Sequence, residues 1–223
     1  MLDQRLYRHL VTRLGQWPAR QPLHVVGSTR RTKPGWDGRI YPAIGIDGPA
    51  GMVLSVPPDR VASARELRHL SPSKLLAELP AAVGREGWPS YRAVFRYTTT
   101  PAKLPEVGEW IKVDDPVVPE WLRPFGDEVL VVRDDSGRYL AGVGIKRHDR
   151  YGHELSVGTE PAARGRGLAR RLVAQAARRV LAGGAVPTYL HEPENVGSAR
   201  VAEAAGFADQ GWWAYAVATP DAP

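Results

Sequence analysis

The chain has 223 residues, 43% of them apolar, with 30 Lys and Arg against 24 Asp and Glu and no cysteine. That length admits one large domain or two small ones around a real core. The absent thiol excludes disulfides, thiolate metal sites and covalent cysteine catalysis, and no apolar run reaches the roughly eighteen residues of a membrane span.

The opening M-L-D-Q-R-L-Y-R-H-L lacks the apolar stretch and cleavage site of a secretory signal, so a soluble cytoplasmic protein is expected. The net charge of +6 suits polyanions such as nucleic acid or phosphorylated cofactors. The basic residues are mostly Arg and are spread along the whole length, which makes nucleic acid the lesser expectation. No metal site is read from the sequence.

In chain order, Leu2, Leu6, Leu10 and Leu14 stand four apart and predict a helix that Gly15 stops. Short strands follow at 24–26, 41–46 and 52–56. The basic turn G-S-T-R-R-T-K-P-G comes after the first of them, but no helical pattern begins there to complete a phosphate site. Helical stretches at 59–70 and 73–83 precede a strand at 91–99. Residues 100–105, T-P-A-K-L-P, read as a connection. The division expected is therefore a smaller α/β domain over 1–104 and a second domain over 105–223.

The second half alternates more cleanly. Strands at 128–133 and 139–148 flank D-D-S-G, a hairpin signal. A third strand at 154–159 sets Leu155, Val157 and Thr159 on one face and Glu154, Ser156 and Gly158 on the other. A helix over 166–182 carries Leu168, Leu172, Ala176 and Val180 on one stripe. Another strand at 186–191, a short helix from Asn195 to Ala205 and a last strand at 211–218 complete it. Strand, helix and strand in this order make a β-α-β unit with parallel strands, so the fold class is mixed α/β.

The informative stretch is Arg164-Gly165-Arg166-Gly167-Leu168-Ala169 at the mouth of the long helix. Glycines let the backbone turn tightly and remove side chains that would hold a ligand away. Free N–H groups at the positive end of a helix dipole then make an anion cradle, for which a pyrophosphate is well matched. Arg164, Arg166, Arg170 and Arg171 add charge. A Walker loop would need Lys and then Ser or Thr where Leu168 and Ala169 stand, and a dinucleotide fingerprint needs three glycines in another spacing. The bland alternative is a solvated basic helix face.

This stretch resembles the Arg/Gln-x-x-Gly-x-Gly/Ala motif of the Gcn5-related N-acetyltransferase (GNAT) superfamily through Arg164, Gly167 and Ala169. The likeness extends upstream through T-E-P-A-A at 159–163 and downstream through Asn195, Ser198, Gly206 and Phe207. It covers about 128–217 and fades before Pro105. The first domain is read as a small α/β unit, open to being a degenerate relative of the second, that contributes one wall of the acceptor cleft.

The resemblance implies a mixed sheet with a splayed parallel strand pair and acetyl-CoA as co-substrate. Backbone groups of Val157, Gly158 and Thr159 would pair with the pantetheine arm. The N–H groups from Gly165 through Arg166, Gly167, Leu168 and Ala169 to Arg170 would hold the pyrophosphate. Asn195 and Ser198 would hydrogen-bond the cofactor, although Asn195 also fits a plain helix N-cap.

The implied reaction is direct acetyl transfer to a small-molecule amine or a protein amino group, with a strand N–H stabilising the oxyanion. Glu154 is the first candidate base and His153 the second, with His148 and His191 behind them. Ser198 is a candidate catalytic hydroxyl. The departure from the pattern is Ala202, which stands where many relatives carry the Tyr that protonates the thiolate. Ser198, Tyr189, Tyr215 or a water are the substitutes. That departure keeps open a second reading, a catalytically silent CoA sensor or partner-binding module. No membrane partner is expected, and a homodimer is left open.

Overall fold

The computed structural model describes residues 2–220. The chain groups into two compact units. One comprises Arg96–Asp209 with Asp3–Leu6, and the other comprises Tyr7–Phe95 with the segment that begins at Gln210.

Helix α1 (Gln4–Leu14) forms as the leucine spacing predicts, with Leu6, Leu10 and Leu14 fully buried. The Asp3 carboxylate accepts the N–H groups of Arg5 and Leu6 at its start, and Gly15, at φ +94°, closes it. Strand β1 (Leu23–Gly27) runs parallel to β3 (Gly51–Val56), and β2 (Ala43–Gly48) runs antiparallel to β3. The basic turn between β1 and β2 winds into a 3-10 segment, Thr29–Thr32. Arg31 is buried there on the carbonyls of Tyr41 and Arg13, so its charge serves this loop's own closure.

The helix expected over 59–70 is shorter. Only α2 (Val61–Arg65) is α-helical, between 3-10 turns. The buried positions there are Ala64 and Leu67, three apart, and a three-residue turn suits that spacing. Helix α3 (Pro72–Ala82) buries Leu75 and Leu79 into a core with Leu54, Val56 and Tyr215. Strand β4 (Ser90–Tyr97) and the last strand, β10 (Trp212–Val217), complete this unit's sheet in the order β1-β3-β2-β10-β4. The chain end thus returns to pair antiparallel with both β2 and β4.

The other unit has the sheet order β9-β8-β7-β6-β5. Its strands are β5 (Glu109–Lys112), β6 (Glu128–Arg133), β7 (Tyr139–Arg147), β8 (Gly152–Thr159) and β9 (Val186–His191). One face of β7 and β8 is nearly bare, with Gly142, Gly144 and Gly158. A Cβ on any of them would stand within 2.6 Å of Leu122, Phe125 or Trp121, so these glycines admit the 3-10 segment Glu120–Phe125 onto the sheet. The other face carries α4 (Leu168–Ala182), whose Leu168, Leu172, Ala176 and Val180 are buried as the stripe predicts. Helix α5 (Val196–Ala204) follows β9.

Strands β8 and β9 are parallel, as expected, but their pairing covers only Gly152↔Val186 to Leu155↔Tyr189. Beyond Leu155, β8 continues to Thr159 alongside β7 alone. This is a mixed α/β fold, with its parallel pair parted at one end.

Candidate cofactor cleft

The parting of β8 and β9 opens a cleft of about 750 Å³. Its walls come from four elements: Val157, Gly158 and Thr159 on β8, Ala163–Gly165 and Gly167–Arg170 at the α4 mouth, Tyr189 on β9, and one face of α5 with its cap Asn195. Sequence reading singled out most of these residues, and the structure places them around one space.

At the mouth, Gly165 and Gly167 have φ of +78° and +72°, the left-handed region that favours glycine. Gly167 is the N-cap of α4 and contributes no side-chain cap, so the first-turn N–H groups have no side chain folded over them from that position. A Cβ built on Gly165 would meet nothing within 4 Å, whereas one on Gly167 would touch the Arg170 guanidinium at 3.0 Å. Arg164 donates to the Thr159 carbonyl at 3.5 Å, tying the loop to the end of β8. Three arginines line the cleft, Arg164, Arg170 and Arg200, and no carboxylate does. Arg166, expected to join them, is not among the lining residues.

Asn195 is the N-cap of α5, accepting the Ser198 N–H at 2.9 Å. It also lines the cleft. The Ser198 hydroxyl lies 2.8 Å from that of Tyr189, and both face the same space. Burial pushes the Tyr189 phenol up, only partly offset by the Ser198 hydrogen bond and the Arg96 charge.

The candidate bases stand elsewhere. Neither Glu154 nor His153 lines the cleft. Glu154 is buried, with Oε1 accepting from Lys146 Nζ at 2.6 Å and Oε2 accepting from His148 Nε2 at 3.0 Å. Burial alone would raise its pKa, but the His148 hydrogen bond and the Lys146 charge outweigh it and hold the carboxyl well below the usual range. His153 pairs across to Arg147 on β7, and its carbonyl accepts from Thr188.

His191 is also committed. Its Nε2 lies 3.1 Å from Arg96 Nε, a donor, so Nε2 accepts and Nδ1 carries the hydrogen toward the Glu192 carbonyl at 2.8 Å. Tyr215 packs in the core of the other unit.

Sequence reading missed Gly197, Arg200, Val201 and Ala204, which put one face of α5 on the cleft. Their spacing of three, four and seven from Gly197 is the available signal, visible once Asn195 is taken as the cap. It also missed Arg96, buried and bonded to Glu203, Asp209 and the Phe207 carbonyl as well as to His191.

Among the described residues no helix is long and apolar enough to cross a membrane, and no cluster of three or more His, Asp or Glu could hold a metal ion.

The parted sheet and the glycine-rich helix mouth are the features that the sequence resemblance implies, and comparison with known families agrees. The GNAT acetyltransferase family model matches residues 92–207, just over half the chain, and the chain belongs to that family. No curated protein matches it.

Similar solved structures include a GNAT-family protein from Novosphingobium aromaticivorans, at 24% identity and TM-score 0.48, over 60% of this chain and 66% of that one. An acetyltransferase of the GNAT family from Colwellia psychrerythraea shares 15% identity at TM-score 0.46, over 64% and 62%. A GCN5-related N-acetyltransferase from Kribbella flavida shares 15% at TM-score 0.44, over 65% of each chain. The chain spans just under two thirds of the length of these three.

Proposed function

We propose that the chain is an acetyl-CoA-dependent N-acetyltransferase acting on a small-molecule amine or a protein amino group. The observation that carries this reading is the α4 mouth. Two left-handed glycines open a cradle of main-chain donors onto a strand edge that β9 has left, in a cleft with three arginines and no carboxylate. That donor set fits a diphosphate joined to an extended amide-bearing arm.

The acetyl thioester would supply an activated acyl group. In this reading residues 165–170 hold the diphosphate, and the main chain of Val157, Gly158 and Thr159 aligns the arm. A β8 N–H faces the acyl oxygen. Asn195 fixes the first turn of α5, and so the position of Ser198. A carboxylate held as low as Glu154 accepts protons weakly. Its part is to keep Lys146 and His148 in place rather than to deprotonate the amine.

Calorimetric titration with CoA tests the reading. The Gly167→Trp variant should bind CoA at least about ten-fold more weakly, because it fills the bend and strains a left-handed position, and it should still melt cooperatively. Unchanged affinity would remove the cofactor from this mouth.

Ala202, fully buried where many relatives carry Tyr, favours the second reading of a silent CoA binder. Amine-dependent thiol release from acetyl-CoA separates the two: release establishes an enzyme, and CoA binding without it over an amine library establishes a sensor.

A further inference from the structure

A thiolate leaving this cleft needs a proton or a strong donor, and the lining side chains narrow the choice. Those with an O–H are Thr159, Tyr189 and Ser198, and no His, Lys, Asp or Glu is among them. An ordinary thiol ionises near pH ~8.5 and a phenol near ~10, so of these groups the phenol is best matched to a thiolate.

Tyr189 occupies the last paired position of β9, opposite Leu155, at the point where the strands part. Its ring is buried against Phe207 at 5.8 Å between centroids, and its hydroxyl is 2.8 Å from Ser198 Oγ. One turn beyond Ser198 on α5 stands Ala202, in the same core cluster as Tyr189. A methyl group there presents little bulk to the neighbouring ring. The groups around the phenol are Ser198, the Arg96 guanidinium and, at 6.4 Å between centroids, His191. Because burial pushes the phenol up, it stays loaded with its proton through the neutral range. The nearby Arg96 charge favours the phenolate once the proton has left.

Building on the acetyl-CoA reading, we propose that Tyr189, acting through Ser198, is the proton source for the leaving thiolate. The acyl carbon–sulfur bond breaks as the carbon–nitrogen bond forms. The sulfur takes its proton from Ser198 Oγ, Ser198 takes one from Tyr189, and the proton shed by the attacking amine returns to the phenolate through solvent. The α5 hydroxyl thereby borrows its acidity from a strand tyrosine, and a tyrosine on α5 is not needed.

The ionisation of bound CoA tests this without knowledge of the acceptor. Thiolate absorbance of CoA at saturating protein is followed against pH for the wild type, Tyr189→Phe and Ser198→Ala, with CoA affinity measured by calorimetry. In the wild type the donor pair should raise the thiol's ionisation constant about ten-fold over free CoA, as a hydrogen bond to a charged sulfur does. Ser198→Ala should return it to the free value, and Tyr189→Phe should bring it part of the way back while binding CoA within about three-fold of wild type, since Ser198 and the other cleft contacts are kept. A merely structural tyrosine would leave the thiol constant alone. Binding with the same constant in all three proteins overturns the proton source but leaves the acetyl-CoA reading standing. Failure of the wild type to bind CoA overturns both.

Discussion

Glu154 shows how a buried carboxylate is committed to its partners. Its oxygens face Lys146 and His148, and the side chains of Glu154 and His148 are only 9% and 8% exposed. Glu154→Gln would leave the Lys146 ammonium and His148 facing a neutral amide in a nearly dry site, costing about 3 kcal/mol at pH 7. The sign of the pH dependence follows from the lowered folded pKa. The stabilisation is complete above the ordinary carboxylate value of 4.5 and is lost as the pH falls below it toward the depressed folded value. Chemical denaturation of both proteins across pH 7 to 2 should therefore show the wild-type advantage shrinking below about pH 4.5. An advantage that stayed constant with pH would mean that the carboxylate carries no linked proton.

At the scale of elements, α5 is held by a residue from another strand. Arg96 at the end of β4 reaches His191 on β9, Glu203 on α5 and the Phe207 carbonyl just past that helix. Its acidic partners are about half exposed or more, so water can take them back. The Phe207 carbonyl and His191 Nε2 cannot recover so easily. Arg96→Met should destabilise by about 2–3 kcal/mol, measured by urea unfolding. It should also weaken CoA binding by loosening the helix that carries Asn195 and Ser198.

None of this network was legible in Y-R-A-V-F-R-Y, where Arg96 reads as one more outward basic residue of a strand. By contrast α4 was legible to within two residues, because its buried Leu168, Leu172, Ala176 and Val180 repeat at the helical period and Gly183 follows at once. Strand β5 left no such trace, since four residues with an exposed-to-intermediate burial pattern carry no alternation. The cleft's mouth was readable because glycine and arginine there answer to local backbone geometry. The Tyr189–Ser198 contact was not, because it joins a strand to a helix across a turn whose path depends on how β9 packs.

For the molecule as a whole, the return of β10 matters most. Trp213, Ala214, Tyr215 and Ala216 are matched on one side to β2 and on the other to β4. A fragment beginning at residue 105 would lack both neighbours and expose Trp212 and Tyr215, now buried. It should fail to unfold cooperatively and should aggregate, as unpaired apolar strands do. Light scattering and a thermal melt decide this, and a soluble fragment with a sharp melt would contradict it.

The central claim is that the helix mouth at 165–170 receives a diphosphate on its main-chain hydrogens. Amide nitrogen–proton spectra of the full chain, recorded during titration with CoA, address it directly. The account predicts that the resonances of Gly165, Gly167 and Leu168 shift most and saturate together with the calorimetric binding curve. Saturable CoA binding that leaves those three amides unmoved while others shift would contradict it.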